Sequence, residues 1–300
     1  MITHGCAMTL TQLEIFIVVA GRRGFTLAAA QLGISQSAVS HAIRALEQEL
    51  GVELLFRHQG QVELTDIGAR LLQRAQSMLG LADAIRQEAS DARSMKLGTL
   101  RIGSFGPTSS QRLLPRILAD YRRIYPGIEV HVDEGPDRQV VQWLLDRRVD
   151  VGFVALPEAQ FDTYPLIEDQ MVALLPCGHR LAAKEAVTLN DLCSDPFVLT
   201  EAGSSELVSR LFVAARLNPK IRYRTSQLMS TLAAVARGDA VTVVAESALP
   251  ERDASQYLTK VLDPAVRRHV GIAVLDKSQS SPAARAFIAL SVKIFRNQVV

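Results

Sequence analysis

After a patternless stretch, Met1–Ala7, apolar residues begin to recur at helical spacing. That stretch reads as a tail, or as sequence ahead of a start at Met8. Thr9-Leu10-Thr11-Gln12 has the spacing of a capping box, and Leu13, Phe16, Ile17 and Ala20 then return on one face. Gly21 and Gly24 bracket the stop, with Arg22 and Arg23 near the last carbonyls, where cations are favoured. Thr26 is positioned to cap a short Ala-rich helix, Leu27–Leu32, closed by Gly33. Ser35 is positioned to cap a third helix running to about Leu50, in which Val39, Ile43, Leu46 and Leu50 form the buried stripe. Two apolar runs, Val52–Arg57 and Val62–Thr65, flank the polar His58–Gln61 and predict a β-hairpin. A short helix, a Gly-containing turn, a longer helix and a hairpin together predict a winged helix-turn-helix.

Thr65 then caps a long helix predicted from Asp66 to about Arg93. Ile67, Leu71, Ala75 (or Arg74), Met78, Ala82, Ile85, Ala89 and Ala92 recur along it at three- and four-residue steps, a coiled-coil-like seam. Such a stripe packs either on its own domain or on a second chain. Ser94–Gly98 marks a boundary.

Beyond it one pattern occurs twice. Leu100–Gly103 is strand-like and enters the hydroxyl-rich Ser104–Ser110; a helix at Gln111–Tyr125, a strand at Ile128–Val132, a helix at Gln139–Arg147 and a strand at Val149–Ala155 follow. The second round runs from the strand Phe197–Leu199 through Thr200–Ser205, a helix to about Leu217, the strand Ile221–Thr225, a helix at Gln227–Arg237 and the strand Ala240–Ala245. Two β-α-β-α-β units predict two parallel-sheet lobes, with Val270–Leu275 and the helix Pro282–Phe295 returning to the first.

Composition narrows the function classes. The 300 residues, 48% of them hydrophobic, allow at least two domains. No apolar run approaches the ~20 residues that span a bilayer, and no basic segment leads into an apolar one at the start, so no membrane partner, no secretion and a cytoplasmic location are expected. Cys6, Cys177 and Cys193 fit neither a disulfide framework nor a paired-cysteine zinc site. The sequence holds no Gly-x-Ser-x-Gly elbow, no phosphate-cradling loop and no histidines at ligand spacing, so neither catalysis nor a metal or other cofactor is expected.

Charge tests the first module. Between Met8 and Thr65 stand four arginines and five glutamates, a net charge of −1 where a nucleic-acid binder is expected to be basic. Placement answers that objection. Gln36, Ser37, Ser40, His41 and Arg44 lie off the apolar stripe, toward the leading end of the third helix, the end that reads base edges in docked helix-turn-helix modules. Gln pairs with adenine and Arg with guanine or phosphate. Arg57, at the base of the wing, is placed for a phosphate. A solvated face of a helical bundle accounts for the same pattern less economically.

In the second region, Ser104–Ser110 and Thr200–Ser205 sit beyond strand ends and at helix starts. There free N–H groups, helix dipoles and hydroxyls favour a small anion held across a cleft. For any single Ser or Thr, helix capping is the simpler account; the symmetry of the two clusters favours a site.

Gln12-Leu13 with Phe16, Phe25-Thr26, Ser35-Gln36-Ser37-Ala38-Val39-Ser40, Ile43, Leu46-Glu47, Leu50-Gly51, Leu55-Phe56-Arg57 and Leu64-Thr65 with Gly68 resemble the signature of LysR-type transcriptional regulators. The resemblance implies a multidomain α/β chain. It comprises a tail (1–7), a winged helix-turn-helix (8–65), a linker helix (66–94) and a two-lobed effector domain with the fold of periplasmic solute-binding proteins. Residues 95–167 and 269–300 form one lobe, 168–268 the other, and two strands make the hinge. It implies double-stranded DNA as partner, contacted by Thr26, Ser35, Gln36, Ser37, Ser40, His41, Arg44 and Arg57, with His41 standing where the family often has Arg. It also implies pairing of chains through the linker helix (Ile67, Leu71, Met78, Ile85) into a dimer and further into a tetramer. A small effector, expected to be a carboxylate, falls between Ser104, Thr108 and Ser109 on one wall and Thr200, Ser204 and Ser205 on the other, with Pro136 where a further loop joins the cleft. Around Val244–Glu246 the chain lacks the family's Gly-x-Gly turn. A cytoplasmic small-molecule-binding protein without a regulatory role is the alternative.

Overall fold

The computed structural model describes residues 8–58, 61–91, 98–201, 203–250 and 256–296. Met1–Ala7 with Cys6, the tip of the predicted hairpin and most of the Ser94–Gly98 boundary, along with the end of the linker helix at Arg93, lie outside those residues. The chain divides into two compact units, one chiefly Met1–Ala89, the other Ser90–Leu144 with Val149–Val300.

The first unit holds α1 (Leu10–Arg22), α2 (Phe25–Leu32), α3 (Gln36–Leu50), the strands β1 (Leu55–His58) and β2 (Gln61–Leu64), and the long α4 (Asp66–Asp91). The capping box forms: Thr9 Oγ1 accepts from Gln12 N, and Gln12 Oε1 accepts from Thr9 N at 2.8 Å. Ser35 caps α3, accepting from Ala38 N at 3.1 Å. Thr26 caps nothing: α2 starts one residue before it, at Phe25, with Gly24 as a cap that has no side chain to offer. The stripe of α3 is buried at Val39, Ile43 and Leu46, each 0% exposed, and pools with Leu13, Phe16, Val19 and Ala28 in one core. Leu50 does not belong to it. As the last helical residue, before Gly51 turns left-handed, it is 38% exposed.

β1 and β2 pair antiparallel from Leu55–Leu64 to His58–Gln61. Glu47, on α3, accepts from the backbone N–H groups of Leu54 and Leu55 and so ties the end of the helix to the base of the hairpin. Thr65 caps α4 as expected, accepting from Gly68 N at 2.9 Å while donating to Glu53 O. Gly68 is required there: a Cβ would stand 2.1 Å from Leu54 O. The seam of α4 divides. Ala75 is buried and Leu71 and Leu72 pack on the module's own core, whereas Met78, Leu81 and Ile85 are exposed, Ile85 at 67%.

The second unit contains β3 (Gly98–Phe105), α5 (Leu114–Ile124) after a π-helical turn at Thr108–Leu113, β4 (Ile128–Gly135), α6 (Asp137–Leu145), β5 (Val151–Leu156) and β6 (Asp162–Pro176). Then come β7 (Ala186–Val187), α7 (Leu189–Leu192), β8 (Pro196–Thr200), α8 (Ser205–Ala214), β9 (Lys220–Thr225), α9 (Leu228–Ala236), β10 (Thr242–Ala245), β11 (Tyr257–Val274) and α10 (Pro282–Phe295). The duplicated pattern holds element by element, and α10 falls where the sequence places it.

The two parallel-sheet lobes are joined through shared antiparallel strands. One sheet runs β10-β6-β11-β5-β3-β4, with the long β6 and β11 antiparallel along their length and passing through both lobes. β3, β4 and β5 are mutually parallel in the first lobe; β8 and β9 are parallel in the second, where β8 meets the strand leading into β10 at Phe197–Val241. β6 and β11 form the two-stranded hinge. In the first lobe α10 is locked to the sheet by Phe287, set edge-on to Tyr121 and Phe153, with Tyr121 Oη donating to Ala283 O at 3.0 Å.

Candidate functional site

Two surfaces carry the chemistry. On the first unit, burial of Val39, Ile43 and Leu46 leaves the opposite side of α3 to polar residues: Gln36, Ser37, His41 and Arg44 are exposed and Ser40 half-buried. Thr26 is exposed on the first turn of α2, and Ser35, whose hydroxyl pairs with Ser37 Oγ at 2.9 Å, stands at the helix entrance. Arg57 lies on β1 opposite Val62; its side chain is outside the described residues. The acids that make the module negative include two occupied elsewhere: Glu47 holds the hairpin amides, and Glu49 accepts from Met8 N at 2.6 Å. Their charge is spent at the trailing end of α3.

On the second unit the hydroxyls expected to cradle an anion are largely beneath the surface. Ser104, Thr108, Ser109, Thr200 and Ser204 are buried. Ser104 and Ser109 bond each other at 2.9 Å, and Ser109 also bonds the backbone of Phe105. Thr108 and Ser204 serve a residue that sequence reading passed over, Arg268, on hinge strand β11. Arg268 is 4% exposed and directly opposite Asp169 on β6. Its Nε and Nη2 donate to Asp169 Oδ2 at 3.0 and 2.8 Å, Nη2 also to Thr108 Oγ1 at 2.8 Å, and Nη1 to Gly203 O and Ser204 Oγ at 2.5 and 3.0 Å. Those five bonds use all five guanidinium N–H groups.

The remaining donors close a ring. Arg268 donates to Thr108, Thr108 to Ser247 Oγ at 2.8 Å, and Ser247 to Asp169 at 2.5 Å, whose same oxygen takes Arg268. A buried charge is tolerable when paired and fully hydrogen-bonded, and this ring meets both conditions. The Phe105 ring lies 5.7 Å from the guanidinium carbon. Gly203, with φ +83°, brings its carbonyl to Arg268; a Cβ on it would meet Phe105 at 3.2 Å. Ser104, Thr108, Ser109 and Ser204 are therefore engaged internally and do not form an open anion cradle.

A separate groove of about 700 Å³ is lined by residues next to Gly203 and Ser204 in sequence. Of the seven residues expected to meet an effector, Pro136 and Ser205 line it, with Asp137, Glu201, Glu206 and Arg210. Arg138 reaches across to Glu206 at 2.8 Å, and Arg210 takes its other oxygen. The two arginines, Arg138 foremost, hold the Glu206 carboxyl down to about 2. Asp137 behaves oppositely: burial pushes its carboxyl up to about 6, against the pull of Arg268. Arg268, Asp169, Ser247 and Asp137 were all missed. The available signal was an acidic pair, Glu168-Asp169, and a basic pair, Arg267-Arg268, each inside an otherwise apolar run.

Neither cysteine described lines this groove. Cys177 is exposed, and Cys193 is partly buried with its thiol pushed up by burial. Among the described residues no three His, Cys, Asp or Glu side chains converge as a metal site would require, and no helix is long and apolar enough to cross a membrane.

A reading module with a buried stripe and polar leading face, followed by a hinged two-lobed α/β domain, defines a ligand-responsive DNA-binding regulator. Residues 10–69 match the bacterial regulatory helix-turn-helix protein, lysR family, and residues 94–295 the LysR substrate binding domain. The chain belongs to the LysR family of transcriptional regulators. It is 30% identical over 290 residues to an uncharacterised helix-turn-helix regulator, YvbU, of Bacillus subtilis, covering 96% of this chain and 99% of that one. It is 35% identical over 287 residues to the probable regulator LrrA of Synechococcus elongatus, covering 94% and 95%. Among solved structures, a single-substitution variant of full-length OxyR from Pseudomonas aeruginosa superimposes with a TM-score of 0.71 at 26% identity, over 97% of this chain and 99% of that one. The chain is accordingly a DNA-binding transcriptional regulator with an effector-binding domain, and a small-molecule-binding protein without a regulatory role is not favoured.

Proposed function

We propose that α3 enters the major groove with Gln36, Ser37, Ser40, His41 and Arg44 toward base edges, while Thr26, Ser35 and Arg57 meet the backbone. The observation that carries this is the sorting of α3: its apolar stripe is wholly enclosed from Val39 to Leu46, and the leading polar face is exposed. Two copies pair through the exposed end of the α4 seam, Met78 and Ile85, with Ile67 continuing it and Leu71 given over to the module's own core, and dimers assemble into a tetramer. The domain limits expected from sequence, 8–65, 66–94, 95–167 with 269–300, and 168–268, are those of the working parts. The protein acts in the cytoplasm and has no catalytic activity of its own.

The effector enters the groove between Pro136 and Ser205, and its binding changes how the two lobes meet about β6 and β11, altering the spacing or bending of DNA held by paired modules. For a carboxylate effector, the helix starts at Thr108 and Ser205 speak in favour. Against it stands the engaged state of the hydroxyls, since an anion must compete with Asp169 for Arg268. Resemblance to a probable hydrogen peroxide-inducible genes activator of Mycobacterium avium, 30% identical over 297 residues, raises peroxide as a signal. The groove itself offers hydroxyls and carboxylates rather than a thiol for such chemistry.

Gel-shift titration of the full chain on its own upstream DNA, with footprinting, tests the reading. A sequence-specific, salt-sensitive shift is expected; its absence with every effector class would sink it.

A further inference from the structure

One polar atom beside the groove has no hydrogen-bond partner. Asp137, the first residue of α6, has its Oδ1 enclosed by protein and bonded to nothing among the described residues. It lies across from Gly203, whose missing Cβ would come within 3.8 Å of it, and so sits where the two lobes approach. A buried acceptor left empty costs the folded protein, which is why such atoms are rare.

The neighbouring charges do not fill it. Arg268, the cation that bears on it, has its five N–H groups bound to Asp169, Thr108, Gly203 and Ser204. Arg138, the next residue along, is turned to Glu206, which also holds Arg210. The enclosed charges here are thus two carboxylates, Asp137 and Asp169, against one guanidinium. A ligand carboxylate placed against Asp137 meets a second carboxylate, whereas the groove's own donors, Arg224 and the Ser205 and Ser209 hydroxyls, belong to other lining residues. A nitrogen that donates meets an empty acceptor on a carboxylate that Arg268 and its own backbone N–H offset only in part.

We propose that the effector presents a primary ammonium or similar cationic N–H group to Asp137 Oδ1, with the rest of the molecule lying in the groove toward Ser205. This rests on the reading of the groove as the effector site.

Isothermal titration and thermal shift on the full chain at neutral pH, with matched short alkyl primary amines, their amides and their carboxylates as probes, test it. Amines are expected to bind and the carboxylates not. Asp137→Asn, which keeps the shape and removes the charge, is expected to weaken amine binding about 10- to 100-fold, the worth of a charge-assisted hydrogen bond. Acidification below pH 6, the range to which the Asp137 carboxyl is raised, is expected to weaken it similarly. Ser205→Tyr, which obstructs the groove, is expected to abolish it. Carboxylate binding that Ser205→Tyr abolishes and Asp137→Asn leaves intact overturns the ammonium assignment and keeps the groove. Amine binding indifferent to both substitutions overturns the assignment and the groove together. Failure of all three probe sets to bind overturns the assignment.

Discussion

Gln36 and Arg44 stand eight residues apart on one side of α3, about 12 Å along its axis at 1.5 Å per residue. On the proposed docking the two make different kinds of contact and so predict different losses. Gln36→Ala is expected to cost about 1–3 kcal/mol on the preferred operator and to relax preference at a single base pair. Arg44→Ala, if its guanidinium reaches a phosphate, weakens all sequences alike; if it reaches guanine, it relaxes a second position. Fluorescence anisotropy on an operator and its single-base variants separates these. A Gln36→Ala protein with unchanged base preference would remove Gln36 from the reading face. Asp137 gives a residue-scale prediction of the opposite sense, a gain. Its folded carboxyl titrates at about 6, above the ordinary 3.8, so the folded state binds the extra proton and stability falls as pH rises through that window. Asp137→Asn should therefore be more stable than the parent at pH 7, by up to about 3 kcal/mol, with the difference gone near pH 4. Glu206, lowered to about 2 from 4.5, works the other way: its contribution is present above its ordinary value and is lost as pH falls toward 2. Chemical denaturation at stepped pH checks both, and a flat difference between parent and Asp137→Asn contradicts the first.

At the level of elements, β6 and β11 matter most, because they carry the Asp169–Arg268 pair through the hinge. Asp169→Leu leaves an uncompensated buried guanidinium and is expected to destabilise the second unit by about 3–5 kcal/mol, a fall of roughly 10 °C in melting temperature. Replacing both partners, Asp169→Leu with Arg268→Met, should recover most of that loss, as seen by circular dichroism. If the double variant is no better than the single, the pair is not the isolated unit its geometry describes. The same strands explain what the sequence hid. α1, α3 and α10 were legible because caps and a 3.6-residue apolar repeat agree at both ends. β6 was not, and of β11 only the end at Val270–Leu275 was, since Glu168-Asp169 and Arg267-Arg268 interrupt the alternation that marks a strand. Asp169 and Arg268 are buried only because they face one another across the ladder, information that one strand alone does not contain. Thr26 and Leu50 were misjudged at helix ends, where one residue of displacement moves a side chain from cap to turn, or from core to solvent. The hydroxyl clusters were located correctly along the chain, but the partners of Thr108 and Ser204, namely Ser247 and Arg268, lie 64 to 160 residues away in sequence. On α4, the apolar repeat was real and its division was not visible. Leu71 serves the module's own core, while Met78 and Ile85 remain exposed. Ile85→Glu is thus expected to leave the fold within about 0.5 kcal/mol of the parent and to dissociate the oligomer, read by light scattering. An unchanged mass would move the pairing surface elsewhere.

For the whole molecule, the decisive quantity is how affinity for DNA is divided between charge and contact. Each reading module brings four arginines, no lysine and five glutamates, two of which are tied to backbone amides at the trailing end of α3. A pair of modules therefore has at most eight arginines to set against phosphates, and those that read bases or brace the helices are subtracted from that total. Arg22, bonded to Gln31, is one already committed within the module. Counterion release gives a slope in log affinity against log salt of about −0.9 for each phosphate neutralised. With half of the arginines on phosphates the slope is roughly −4, and it cannot exceed about −7 in magnitude. A slope near −4 means that affinity at physiological salt rests mainly on base contacts and on linking two modules, so the Ile85→Glu dimerisation variant should lose DNA binding far more severely than any single arginine substitution. Filter binding across a range of salt concentrations, on the parent and on that variant, measures both. A slope steeper than about −7 would require cations beyond the two modules and would shift the DNA-binding surface onto another part of the chain.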